Sequence, residues 1–306
     1  MWFLIDTSYT VFYRYHALKL WSSHALKDSS DDDKKKEILN KFQQKYLETM
    51  INICKKIYQT YTLEEIASDG GDDGGDGDKK KKRIRKPKFE EKNHRFIWCR
   101  DGSRSDLWRT EIYPEYKKTR VNDCGVGQYF HETTSILDKI KDLNNHSILR
   151  HPHLEGDDLL YLVADSIGQG DYSDRDIAII SSDQDLLQIK GLESKYSTLK
   201  IRFWNCQGGG KQWGSKTGNW ELDLFRKIIG GDTSDNIPKC IPRLGLKKID
   251  EMFATPELLE DKLKASDPTF KKKYLLNQRL VDFRMIPEAL QKEARILIAN
   301  CELLVR

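Results

Sequence analysis

Ile177-Ala178-Ile179-Ile180-Ser181-Ser182-Asp183-Gln184-Asp185 sets four apolar residues just ahead of two carboxylates. A short continuous apolar run bounded by polar residues suits a strand buried on both faces, as in a parallel sheet. In open α/β sheets the ligand site lies beyond the carboxyl ends of the strands. Acids placed directly after such a run therefore arrive at a site edge. The device occurs twice more: Phe3-Leu4-Ile5 ends at Asp6, and Phe96-Ile97-Trp98-Cys99 is followed by Asp101. One Asp at a strand end is an ordinary turn former. Three, each after a buried run, point to one shared site. The predicted class is α/β, with a mostly parallel central sheet flanked by helices.

A fourth acidic group joins them. Leu154-Glu155-Gly156-Asp157-Asp158 leads into Leu159-Leu160-Tyr161-Leu162-Val163-Ala164-Asp165, an apolar run that reads as a buried helix with acids at its first turn. The helix dipole favours acids there, but Glu155, Asp157 and Asp158 exceed what a cap needs. Sharing a pocket with the strand-end acids, they repel unless a cation neutralises them. Asp232 and Asp235, in Asp232-Thr233-Ser234-Asp235-Asn236-Ile237-Pro238, bring the set to nine. Oxygen donors without His or Cys suit Mg²⁺, with Mn²⁺ as a substitute.

The surroundings are basic. Lys and Arg number 52 against 48 Asp and Glu; with the nine acids set aside, the remainder carries an excess of 13 positive charges. A basic body around an acidic pocket suits a polyanionic substrate. Arg104 to Arg120 interleaves Arg109, Lys117 and Arg120 with Trp108, Tyr113 and Tyr116, a composition that grips phosphates and stacks bases. Gly245 stands before Lys247 and Lys248 at the start of a predicted helix, where backbone N–H groups can meet a phosphate.

Other segments carry less chemistry. Residues 29–36 read as a charged loop, and Leu39, Phe42, Tyr46, Met50, Ile53 and Ile57 as one apolar helix face. Residues 68–92, rich in Asp and Gly and then in Lys and Arg, read as a disordered insertion with a secondary role on DNA. A helix is predicted from about Val126 to Leu143. The six cysteines are scattered without a CxxC pair, which argues against zinc and a disulfide framework. No apolar run has the length of a membrane span, and Asp6 comes too early for a signal peptide, so an intracellular protein is expected.

In order along the chain, six motifs resemble the flap endonuclease and 5′-3′ exonuclease family, especially its phage and viral members. They are Ile5-Asp6-Thr7-Ser8 with Tyr13-Arg14, Asp101-Gly102, Tyr113 to Arg120, Glu155 to Asp158, Ser182 to Gln188, and Gly231 to Pro238. The resemblance covers nearly the whole chain outside residues 68–92. It implies a PIN-like nuclease core over residues 1–200, an arch over about 104–130, and a helix-hairpin subdomain over 220–306. It implies one metal near Asp6, Asp101, Glu155, Asp157 and Asp158, and a second near Asp183, Asp185, Asp232 and Asp235. Arg109, Lys117 and Arg120 match basic arch positions taken as catalytic. Tyr13, Arg14, Tyr116, Gly245, Lys247 and Lys248 are the expected DNA contacts. Relatives also hold a potassium ion in the hairpin, but Lys239 and Arg243 stand here where they usually carry glycine.

The implied activity is structure-specific, two-metal hydrolysis of DNA that leaves a 5′-phosphate and a 3′-hydroxyl. The expected partners are 5′ flaps, branched or nicked duplex, and an RNA–DNA hybrid. The protein is expected to act as a monomer, without a membrane and without a sliding-clamp motif. The alternatives are a PIN-type ribonuclease, which would lack the segment after Asp232, and a non-catalytic branched-DNA binder, which would not need the acids.

Overall fold

In β1 (Trp2–Asp6) every residue is buried. Trp2 and Leu4 pack into one apolar layer and Phe3 and Ile5 into another, as a strand covered on both faces requires. The computed structural model describes residues 1–69, 86–120, 125–141, 143, 145–207, 210–264 and 268–301. After β1 come α1 (Thr7–Ala25), α2 (Asp31–Asp69), β2 (Arg95–Arg100), α3 (Trp108–Ile112), α4 (Gly127–Asp138), β3 (His146–Arg150), α5 (Gly156–Gln169) and β4 (Asp176–Ile180). There follow α6 (Leu192–Lys195), β5 (Lys200–Asn205), β6 (Lys211–Trp213), α7 (Trp220–Gly230), α8 (Leu246–Ala254), α9 (Pro256–Lys264), α10 (Pro268–Val281) and α11 (Glu288–Ala299).

The strands form one sheet in the order β3-β2-β1-β4-β5-β6. All neighbours are parallel except β5 and β6. From β1 the chain adds β2 and β3 on one side, then returns to place β4 and β5 on the other. The strand order thus reverses between β1 and β4, the position where open α/β sheets form a crevice. One face is covered by α5 and α11, the other by α1, α2 and α4. Beyond β6, helices α7, α8 and α10 close two smaller apolar clusters, one around Leu224, Ile228 and Leu280, the other around Ile229, Ile249 and Phe270.

The three strands expected from apolar runs are β1, β2 and β4. The sequence reading overlooked β3, β5 and β6. β5 alternates exposed or half-buried Lys200 and Arg202 with buried Ile201 and Phe203, and so offers no continuous apolar run. The charged loop expected at residues 29–36 is instead largely the first turns of α2. Asp31, Asp32 and Asp33 sit at its positive end, and the Ser30 hydroxyl accepts from the Asp33 amide. The predicted helix 126–143 is regular only to Asp138. Of the expected insertion 68–92, residues 70–85 lie outside the described residues, and Glu91–Asn93 form a single turn. The expected arch, apart from 121–124 outside the described residues, is a 3₁₀ turn at Arg104–Asp106, then α3, then a turn that packs on residues 234–236.

Candidate active site

The C-terminal ends of β1, β2 and β4 open into a cavity of about 720 Å³. Asp6, Asp101, Glu155, Asp157, Asp183, Asp185 and Asp232 line it, together with Lys117, Arg120 and Lys227. Seven of the nine predicted acids therefore meet at the strand switch point.

Each acid is aimed by its own local structure. Asp6 ends β1 and caps α1: it accepts from the Tyr9 amide at 2.9 Å and from the Ser181 hydroxyl at 2.7 Å. Ser181, wholly buried after β4, also accepts from the Asp183 amide at 3.2 Å and so ties the ends of β1 and β4 together. Asp101 accepts from the Gly156 amide at 2.7 Å and from the Ser8 hydroxyl. The close approach explains Gly156, since a Cβ there would stand 3.2 Å from the Asp101 carboxylate. Asp183 accepts from the Asp185 amide at 2.9 Å.

Asp6, Asp101, Asp157 and Asp183 make no ion pair among the described residues. The crowding appears in the proton affinities of Asp6 and Asp157. Burial, reinforced by Asp101 and Asp183, pushes Asp6 up to about 7. Burial, with Asp183 and Asp6 beside it, holds Asp157 well above the carboxylate range.

The remaining acids are paired. Glu155 meets Lys117 and Arg109, and accepts from the Tyr116 hydroxyl at 2.9 Å. Burial opposes its ionisation, but Lys117 and Arg109 outweigh it and bring Glu155 down to about 2. Asp235 is buried beside Arg120, with Lys117 4.0 Å away. Lys227, on the last turn of α7, bridges Asp185 and Asp232, the latter at 2.7 Å. Oxygens of Asp185, Asp232 and Asp235 all lie within 4.8 Å of one another. Gly231, at φ 69, turns the chain from α7 into this loop; a Cβ there would strike the Ile237 carbonyl at 2.5 Å.

Several sequence assignments change. Asp158 is not a pocket acid: it is fully buried and takes two 2.7 Å bonds from Arg109. Arg109, expected on the gripping face, is also buried and donates to the Leu280 carbonyl at 2.7 Å. It ties α3, α5 and the end of α10 together and presents nothing to a substrate. Tyr116 is buried with its hydroxyl on Glu155, so it cannot stack on a base. Lys117 and Arg120 do reach the cavity. Lys117 adopts a left-handed backbone (φ 53), with its amide held by the Asp235 carbonyl at 2.9 Å. Tyr13 lines a second, adjoining cavity with Phe12 and His16. Arg14 is half-buried on α1, and Gly245, Lys247 and Lys248 are exposed at the start of α8. Arg243 takes φ 59, a backbone that glycine adopts more easily.

Sequence reasoning missed Lys227 and Ser181. Lys227 was hidden in a helix read as ordinary, although a basic residue five before Asp232 was visible.

Residues 81–208 match the family model for the 5′-3′ exonuclease N-terminal, resolvase-like domain. This part of the chain is thus similar to a 5′-3′ exonuclease N-terminal domain. The same region of sequence carries most of the pocket acids, from Asp101 to Asp185. Among curated proteins the chain is similar to the ribonuclease H of Enterobacteria phage T4, 27% identical over 149 residues. That match spans about half of each protein, 47% of this chain and 45% of the relative. The fold is that of bacteriophage T5 5′-exonuclease (TM-score 0.55, 14% identity, 98% of each chain). It also matches the T5 flap endonuclease solved as a pseudo-enzyme-product complex with DNA and metal ions (TM-score 0.57, 14% identity, 100% of this chain and 99% of that one). These matches extend beyond the residues that match the family model, across α7 to α11, so the mostly parallel PIN-like sheet and the helical C-terminal part belong to one known architecture.

Proposed function

We propose that the protein is a structure-specific 5′ nuclease that hydrolyses DNA phosphodiesters with two Mg²⁺ ions, leaving a 5′-phosphate and a 3′-hydroxyl. The observation that carries this reading is the meeting of seven carboxylates at one sheet edge with Lys117 and Arg120 on its rim. The donors fit divalent cations: all are oxygens, no His or Cys among the described residues lines the cavity, and burial beside other acids makes Asp6 and Asp157 resist ionisation. Asp6, Asp101, Asp157 and Asp183 would hold one ion, and Asp185, Asp232 and Asp235 the other. The ions would supply Lewis acidity and charge neutralisation.

The chain does the rest. Lys117 and Arg120 stand where a phosphate entering the cavity gains positive charge, and Lys117 is placed to stabilise charge that builds in the transition state. The Asp235 carbonyl fixes the Lys117 backbone, so this help is preorganised. Exposed Gly245, Lys247 and Lys248 would grip duplex phosphates, which carry no base information; recognition is therefore of DNA structure.

Labelled 5′-flap DNA, an RNA–DNA hybrid and single-stranded RNA, each with and without Mg²⁺, test the reading. The hybrid is included because the phage T4 relative is a ribonuclease H. Mg²⁺-dependent cleavage at the flap junction is expected. Cleavage of single-stranded RNA alone would instead support a PIN-type ribonuclease.

A further inference from the structure

The two acid groups of the pocket differ in what neutralises them, and Lys227 is the residue that makes the difference at Asp185 and Asp232. Its ammonium contacts both carboxylates, and a third, Asp235, lies within 4.8 Å of the pair. The adjoining Arg226 also lines the cavity but is taken up by Asp250 on α8, to which it makes two 2.7 Å bonds. An ordinary structural ion pair in this protein has the opposite balance. Asp165, away from the cavity, is one acid shared by Lys195, Arg295 and the Tyr196 hydroxyl. At Lys227 one cation is shared by two acids in a pocket with more acids than bases.

We infer that Lys227 is a resident counter-cation that a divalent ion must displace from Asp185 and Asp232, so that the second ion binds by exchange and more weakly than the first. This rests on the proposed use of divalent ions in the pocket. The physical reason is crowding of like charge. A divalent ion takes carboxylate oxygens at roughly 2.0–2.1 Å, while the ammonium sits 2.7 Å from the Asp232 oxygen. Both cannot hold the same oxygens without strong repulsion. Asp6, Asp101, Asp157 and Asp183 need no such exchange, because no lysine or arginine pairs with them among the described residues.

The test is Mn²⁺ binding to the metal-free full chain, followed by calorimetry and by the electron paramagnetic resonance of free Mn²⁺. Wild type should bind one ion tightly and a second weakly. Lys227→Met should tighten the second site by about tenfold or more, a lower bound on the interaction between unit charges a few ångströms apart near a protein surface. The first site should stay unchanged. Lys227→Gln, neutral and still able to donate to the carboxylates, should tighten it in the same sense and serves if the Met variant does not fold. Lys227→Arg keeps the charge and should not tighten it. Lys118→Met is the control, since Lys118 is exposed and among the described residues pairs only with Glu115. A second site that is unchanged or weaker in the neutral variants, or that tightens equally in Lys118→Met, overturns the exchange. Tightening in a protein that leaves flap DNA uncut would refute the proposed reaction and leave the exchange standing.

Discussion

The two sides of the acidic cavity are built on opposite electrostatic principles. On the strand side, Asp6, Asp101 and Asp183 are aimed by amides and hydroxyls alone, and Asp157 stands beside them without an ion pair. On the helix side, Glu155, Asp185, Asp232 and Asp235 each touch Lys117, Arg109, Arg120 or Lys227. The strand side has no basic partner, and Asp6 and Asp157 hold protons in place of one; on the helix side the chain's own bases balance most of the charge. A pocket can thus be equally acidic in sequence on both sides and yet attract a cation unequally.

The sharpest way to break the comparison is to remove one uncompensated acid. Asp183→Asn should lower single-turnover cleavage of flap DNA by about 10³-fold or more, above the cost of losing one electrostatic stabiliser, while DNA affinity holds. Equal loss in Asp235→Asn would show that the two sides are equivalent.

Arg109→Met probes the scaffold behind the helix side. It strands Asp158 and part of Glu155 without their buried partner. Removing one member of a buried ion pair costs about 3–5 kcal/mol, and urea denaturation should show a loss of that order. A loss under 1 kcal/mol would mean that Arg109 is not the tie between α3, α5 and α10.

Lys117→Ala should cost about 10²-fold in single-turnover rate with only a several-fold change in affinity, and Lys118→Ala should do much less. Lys118 is exposed and pairs with Glu115, whereas Lys117 lies half-buried against Glu155. Equal, mild effects of both would return Lys117 to the solvent.

How much of this was legible follows from what each feature depends on. Asp6, Asp101 and Asp183 stand directly after apolar runs, so local pattern alone sent them to one sheet edge. Glu155 and Asp157 were legible as an excess over a cap. Asp158 lies only one residue beyond Asp157, but it points inward to Arg109, and that partner is 49 positions away. Tyr116 failed for the same reason: interleaved aromatics suggested stacking, while its neighbours Glu155 and Leu224 come from other elements. Lys227 was illegible because its meaning depends on Asp185, 42 positions upstream. Strand β5 hid behind its alternation, which the search for continuous runs passed over. Local placement was readable, and partner choice across the fold was not.

The smallest effect is also the most diagnostic of the strand side. A carboxyl whose folded pKa is raised holds a proton that the unfolded chain has released, so its contribution to stability falls as pH climbs between the two values. For Asp6 that window runs from 3.8 to about 7, and for Asp185 from 3.8 to about 6. Glu155 and Asp232, both brought down to about 2, act only in more acidic solution, where their contribution is lost as pH falls below 4.5 and 3.8. His94, pushed down to about 4 by burial, and the N-terminal amine, pushed down to about 6, favour the folded state as pH rises. The absolute melting temperature therefore mixes opposite trends. The gap between Mg²⁺-saturated and EDTA-treated protein does not, because His94 and the amine are common to both. That gap should keep widening from pH 5 to pH 7 as Mg²⁺ replaces the protons held by Asp6 and Asp157. In Asp183→Asn, which removes a charge that raises both, the widening should move to lower pH. Ordinary carboxylates titrate near 4 and would complete the widening by about pH 5; a gap that is flat above that point would mean the strand-side acids are not crowded.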